Sequence, residues 1–170
     1  HMQAYDSYDE MIQALQNREI DMIFYAGRNP DFAEEKGWAL TNTAWTYRLM
    51  AVTDEKYFNE DETYTVAVPK EKEALKQHIA FSYPEWKLVD CDSFDDAADM
   101  VIHEKADCFL MGASQAMIYD NNQNFKSVPL TKTMEACFAV RGGEGTLLSI
   151  LNKTLKTMPS DMLTSALAIY

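Results

Sequence analysis

No apolar run in this chain approaches the roughly 18 residues that a membrane-spanning helix needs. Basic charge is also scarce. Fifteen Lys and Arg against 27 Asp and Glu leave a net charge of −12. That balance argues against nucleic acid, whose binders carry a basic footprint, and fits a solvated, soluble surface. Cysteine is limited to Cys91, Cys108 and Cys137, with no C-x-x-C spacing and no metal pattern. Cys108 and Cys137 stand inside apolar runs and read as buried small hydrophobes; an odd count neither requires nor excludes one disulfide. The chain has no G-x-S-x-G, no H-E-x-x-H and no G-x-x-x-x-G-K-[ST]. His78 and His103 have no partner at metal-ligand spacing. The expectation is therefore no catalytic set, no metal site and no cofactor: this is not an enzyme.

What is present is a repeat. Residues 7–28 read SYDEMIQALQNREIDMIFYAGR and residues 93–114 read SFDDAADMVIHEKADCFLMGAS, aligned without a gap at a constant offset of 86. Ser7 meets Ser93, Asp9 meets Asp95, and Asp21 meets Asp107. Each copy opens on Ser with an acid three residues later (Glu10, Asp96), the pattern of a capping box. Met11, Ile12 and Leu15, like Ala97, Ala98 and Val101, recur at helical spacing. A short polar turn follows, then a strand-length apolar run broken by one Asp, ending in small residues. Two such copies predict two similar α/β lobes rather than a solenoid, which needs more repeats. The 170 residues and 47% apolar content suit that size.

The rest of the chain fills in around the copies. Residues 27–38 read as a loop, with a short acidic helix after Pro30. Residues 44–53 alternate and are rich in aromatic and β-branched side chains, which predicts one strand. Residues 54–63 are a charged connector. Strands are predicted at 63–69, 86–92, 125–130 (an edge strand) and 136–140. Helices are predicted from about 70 to 83, at 112–120, at 146–157, and from Asp161 to about Tyr170, where Ser160 can cap. From 64 to 130 the order is β-α-β-α-β-α-β, which predicts a mainly parallel sheet with helices on its faces. The fold class is thus α/β, two Rossmann-like lobes joined by hinge strands. Residues 3–53 with 134–170 make the first lobe and 54–133 the second. About 30 residues precede the second copy within its lobe, but only six precede the first, so the first lobe is expected to be incomplete.

The ordered set of motifs resembles the type 2 periplasmic substrate-binding protein family, in its polar-amino-acid branch, and most of all its extracellular sensor domains. Ser7 to Leu15 with Ile20-Asp21 match a lobe-one phrase. Val66-Ala67-Val68 match the opening of lobe two. Ser93, Asp96, Ala97, Val101, Lys105, Ala106 and Asp107 match the phrase that follows. Phe138 to Arg141, with Leu147, Leu148 and 151–153, match the return strand and last helix. The resemblance runs from residue 7 nearly to the end and leaves out the family's N-terminal third. It implies ligand capture between lobes by hinge closure. Three contacts expected from that family are absent. The Thr-x-x-Arg after the first lobe's strand is replaced by NPDFAEEKGW. Met111-Gly112 occupy the region of the ammonium-binding Asp. Lys70-Glu71-Lys72 replace the Gly-Ser/Thr of the second lobe. The resemblance therefore implies either a ligand other than an ordinary α-amino acid, or none.

In α/β lobes, ligands lie beyond the carboxyl ends of strands, near helix N-termini. The ligand-binding candidates follow from that rule. Tyr25 and Arg28 stand in the first lobe's loop, with Arg28 suited to an anion. Trp45 and Tyr47 stand on the strand entering the hinge, suited to stacking. Lys70 stands at a strand end. Ser114 and Gln115 stand at a helix start, where plain capping is the competing role. Asp21 and Asp107 interrupt equivalent runs and read as structural, ending a turn in both lobes. DCDSFDDAAD, residues 90–99, lacks the Gly and Glu of an EF-hand loop and reads as helix capping. RGGEG at 141–145 reads as a turn before a helix.

The resemblance implies an extracytoplasmic sensor domain of a bacterial membrane signalling protein, of the histidine kinase or cyclic-di-nucleotide type. Such a domain takes a small polar molecule, and meets the membrane only through other parts of the full-length chain. The segment ending at Tyr170 would be its exit. Two other readings stand beside it. One is the solute-binding subunit of an importer. The other is a degenerate, non-binding lobe pair that forms a homodimer through an incomplete sheet edge.

Overall fold

The structure, a computed structural model, describes residues 3–54, 57–120 and 124–159. In chain order the elements are α1 (Tyr8–Gln16), β1 (Met22–Gly27), α2 (Pro30–Glu35), β2 (Trp38–Leu40), β3 (Trp45–Tyr47), β4 (Leu49–Thr53), β5 (Thr65–Pro69), α3 (Glu73–Ser82), β6 (Lys87–Cys91), α4 (Phe94–Ile102), β7 (Cys108–Gly112), α5 (Ala113–Asp120), β8 (Lys126–Pro129), β9 (Met134–Arg141) and α6 (Gly145–Thr157). The helix expected after Ser160 lies outside the described residues. No helix among the described residues is long and apolar enough to cross a membrane. The chain divides into two compact units. One is built from residues up to Thr46 and from Glu135 on, the other from Tyr47 to Met134.

The N-caps and the backbone hydrogen bonds of the turn recur in both copies of the repeat. Ser7 Oγ accepts the Glu10 N–H at 3.2 Å, and Ser93 Oγ accepts the Asp96 N–H at 3.1 Å. At the helix ends, Asn17 N–H donates to Gln13, Arg18 to Leu15, and Glu19 and Ile20 to Ala14. The equivalents are His103 to Asp99, Glu104 to Val101, and Lys105 and Ala106 to Met100. Arg18 (φ 65°) and Glu104 (φ 55°) occupy the left-handed region at the same place in both copies. This region closes a helix by turning the backbone back on its last carbonyls. Both copies therefore enter their strands from the same turn.

The second unit is a five-stranded sheet in the order β6-β5-β7-β4-β8. β5 pairs parallel with β6 and with β7, as the alternating pattern predicts. β8 takes an edge. β4 departs from expectation. Residues 44–53 form two strands broken at Arg48, not one, and the second part leaves the first lobe's sheet. β4 lies between β7 and β8, antiparallel to both. The physical reason is its composition: Leu49, Ala51, Val52 and Thr53 are all buried. A strand covered on both faces belongs inside a sheet. Phe109, Val52, Ala67, Val101 and Phe125 form the core of this unit. The charged connector is not a passive spacer. Glu60 accepts hydrogen bonds from the Thr131 N–H (2.9 Å), the Thr131 hydroxyl and the Tyr83 hydroxyl (3.2 Å). Burial pushes the Glu60 carboxyl up, but these donors and nearby Lys132 outweigh it and hold it below its ordinary value.

The first unit is organised around β9. β1 pairs antiparallel with one side of it; β2 and β3 pair with the other. Ile23, Ala26, Cys137 and Ala139 face the helices, packing against Ile12, Leu15, Ala33 and Trp38. The short helix after Pro30 forms as predicted, capped by Asn29, whose Oδ1 accepts the Phe32 N–H at 3.1 Å. β2 falls at the end of the stretch read as a loop, and three residues give no periodicity to read. All three cysteines are free thiols and buried. Burial pushes the Cys137 thiol up to about 11 and the Cys108 thiol higher still.

Candidate functional site

In the second unit, parallel pairing brings the carboxyl ends of β6, β5 and β7 side by side. Beyond these ends stand Lys70, Asp92 with Ser93, and, on the first turn of α5, Ser114 with Gln115. Ladder register sets Pro69 beside Cys91. The next residues, Lys70 and Asp92, therefore meet: Nζ lies 2.7 Å from Oδ1. Each raises the other's preference for its charged form. The Asp92 hydrogen bond and charge push Lys70 up, and Lys70 holds Asp92 below the usual carboxylate range. The pair is well exposed, so water screens it. Lys70 is thus a neutralised cation rather than a free one, a partnership invisible in sequence across 22 positions. Ser114 and Gln115 are exposed on the first turn of α5. The α4 start carries Asp95 and Asp96 in its first turn, which disfavours an anion there.

In the first unit, Arg28 follows directly from β1. Its Nη1 donates to the Thr41 carbonyl at 3.1 Å, and its Nε lies 3.3 Å from Glu135 Oε2. The same carboxylate oxygen accepts the Thr43 hydroxyl at 2.6 Å. Arg28 N–H also donates to the Glu135 carbonyl. Arg28 therefore ties β1, the β2–β3 segment and β9 together, while its side chain stays 42% exposed. Sequence reading singled out Arg28 but not Thr41, Thr43 or Glu135; nothing local links them. Tyr25 is the extra residue of a β-bulge: Phe24 pairs with Phe138 and Ala26 with Cys137. Bulges of this kind recur beside binding sites. The Tyr25 side chain lies outside what is described. Trp45 and Tyr47, on β3, are half-buried, and the Tyr47 hydroxyl lies 2.7 Å from Met134 Sδ.

Arg28 also lines a pocket of ≈ 440 Å³ within the first unit, a volume in the range of small-molecule sites. Pro30, Ala33, Trp38 and Leu40 form its apolar wall, and Glu34 adds a carboxylate. Glu34 has no ion-pair partner among the described residues. The Trp38 indole N–H is buried without a hydrogen-bond partner there. Gly37 and Gly142 complete the rim. The Gly142 N–H donates to the Gly37 carbonyl at 2.7 Å. A Cβ on Gly142 would lie 2.8 Å from that oxygen, so no side chain fits. Asp21 and Asp107 both stand at the turn before their strands, but among the described residues only Asp107 is tied to a neighbouring strand through its backbone. Asp107 Oδ2 accepts the Thr65 N–H at 2.6 Å; Asp21 lies 3.4 Å from the Arg141 guanidinium.

No protein-family profile and no curated protein matches the sequence. Solved structures do match the fold. The BvgS periplasmic VFT2 domain of Bordetella pertussis is 24% identical, over 98% of this chain and 74% of that one, with a TM-score of 0.63. An ancestral arginine-binding protein bound to arginine is 19% identical over 98% and 79%, at 0.64. The substrate binding protein of an amino acid ABC transporter is 20% identical over 98% and 78%, at 0.62. The chain therefore has the type 2 periplasmic binding protein fold.

Proposed function

We propose that this chain is the extracytoplasmic solute-binding sensor domain of a bacterial membrane signalling protein, taking a small polar ligand. The observation that carries the proposal is the likeness to the BvgS VFT2 domain along nearly the whole chain. On this reading the output, and any catalysis, resides in other domains of the full-length protein, of the histidine kinase or cyclic-di-nucleotide class. Anchoring to the membrane likewise belongs to those other parts. Ligand capture biases a two-state arrangement, and the chain outside this domain reads it out. Arg28 and its pocket, Lys70, and the Ser114–Gln115 turn are the contacts to test. The ligand is expected to differ from an ordinary α-amino acid, because Arg28 and Lys70 each already neutralise a carboxylate.

A second reading, the solute-binding subunit of an importer, is favoured by the likeness to the transporter's binding protein. The full-length sequence separates the two: a membrane span continuous with this domain supports the sensor. The direct experiment is a thermal-shift screen of amino acids, small carboxylates, amines and short peptides. A ligand present at 100 times its dissociation constant adds about 2.7 kcal/mol. Arg28→Ala and Lys70→Ala should each weaken a genuine hit. Failure of every compound to shift the transition would count against solute binding.

A further inference from the structure

The chain passes between its two units twice, at Thr46–Tyr47 and at Met134–Glu135. The return passage is built differently from the outward one. On the way out, the Arg48 carbonyl accepts the Ala113 N–H at 3.3 Å, and the Leu49 carbonyl accepts the Leu130 N–H at 3.0 Å. On the way back, Thr131, Lys132 and Thr133 are exposed, between the buried Leu130 and Met134. The Thr131 N–H donates to a side chain, the Glu60 carboxylate, at 2.9 Å. That carboxylate also accepts the Thr131 hydroxyl and the Tyr83 hydroxyl. Lys132 Nζ donates to the Ser82 carbonyl and lies 4.4 Å from the centre of the Tyr83 ring.

Glu60 is positioned independently of that exposed span. Asn59 folds the connector into a turn: its carbonyl accepts the Glu62 N–H at 2.9 Å, and its Oδ1 accepts the Asp61 N–H at 3.2 Å. The turn is anchored on aromatic rings. Phe58 stacks on Tyr64 at 4.4 Å, the Tyr64 hydroxyl accepts the Asn59 N–H at 3.0 Å, and the Trp86 indole donates to the Glu62 carbonyl at 2.7 Å. Tyr83 stacks on Trp86 at 4.1 Å. An acceptor held in this way loses little further conformational freedom when it takes a donor.

We propose that Glu60, with Lys132, is a latch on the return passage. While the carboxylate holds Thr131, the span is fixed to the second unit and bending is confined to the residues beyond Lys132. Once it lets go, all of 131–133 can bend. Hinges are short spans of this kind, a few loop residues that absorb a large dihedral change. The latch thus governs how freely the two units exchange between arrangements, and in that it rests on the proposed sensor function. Charge-assisted hydrogen bonds are roughly twice as strong as neutral ones. Thr131 and Lys132 are exposed, however, so water competes for them. That combination suits a contact that closes and opens, unlike the buried anchors Leu130 and Met134 on either side. Every residue of the latch belongs to the second unit.

The test is amide hydrogen exchange, together with the spread of distances between spin labels at Gln13→Cys and Asp99→Cys, exposed positions on α1 and α4. The native thiols are buried, so the introduced ones take the label. In Glu60→Ala, the Thr131 amide should exchange about tenfold faster or more, the Leu130 amide should keep its rate, and the distance distribution should broaden. Lys132→Ala should broaden it too. Glu60→Gln, which keeps the shape and one acceptor oxygen, should fall between the unaltered chain and Glu60→Ala. An unchanged distribution would overturn the proposal even with faster exchange at Thr131, because the contact would then act only locally. Equal acceleration at Thr131 and Leu130 would overturn it as well, since the sheet rather than the latch would have loosened. No ligand enters either measurement, so the outcome is separate from that of the thermal-shift screen for solute binding.

Discussion

The two copies of the repeat share caps, turn hydrogen bonds and left-handed residues, yet their strands have opposite fates. β7 lies between β5 and β4, and Cys108, Phe109, Leu110 and Met111 are all buried. Among the described residues β1 ends its sheet, and its exposure alternates at Met22, Ile23 and Phe24. The equivalent Asp shows the same split. Asp107 holds the neighbouring strand through Thr65, whereas Asp21 is 82% exposed. Local sequence fixes a helix–turn–strand unit; the neighbours fix how much each residue contributes to stability.

The sharpest way to break that symmetry is to truncate matching core and edge positions. Phe109 is fully buried, so Phe109→Ala should cost about 3–5 kcal/mol. Phe24→Ala, at a half-open position, should cost about 1 kcal/mol or less. Urea unfolding followed by circular dichroism measures both, and equal losses would deny the difference in environment. A middle-sized effect is expected at the paired acids. Asp107→Ala leaves the Thr65 N–H without its acceptor, at about 1–3 kcal/mol, while Asp21→Ala should stay within about 0.5 kcal/mol. The smallest effect tests what the copies share. Arg18→Gly and Glu104→Gly relieve the same left-handed strain against the greater freedom of glycine in the unfolded chain. Both shifts should be under about 1 kcal/mol and of the same sign. Opposite signs would mean that the turns are not equivalent.

The repeat, its capping boxes and the alternating β-α order were legible because each is written within about 20 residues. Ser7 with Glu10 and Ser93 with Asp96 announce helix starts, and apolar runs after short turns announce strands. The fate of residues 44–53 was not legible. Their alternation identifies a strand but not its partners, and the break at Arg48 hands β4 to the second sheet. The site was the least readable part. Arg28 and Lys70 stand out as cations at strand ends, but Glu135 and Asp92 neutralise them from other elements. The pocket wall likewise joins Trp38 to Gly142, which only tertiary folding brings together.

The central position of β9 carries a consequence for how the protein is made. Met22 pairs with Val140 and Leu40 with Ala139, so β1, β2 and β3 all wait for one late strand. The ribosome releases the complete second unit before it releases β9. That unit can close its sheet while β1, β2 and β3 still wait for their pairing with β9. Loop-closure cost grows only slowly with length, so the delay weighs little on final stability. It leaves the β1 edge that meets β9 without that partner until late in synthesis.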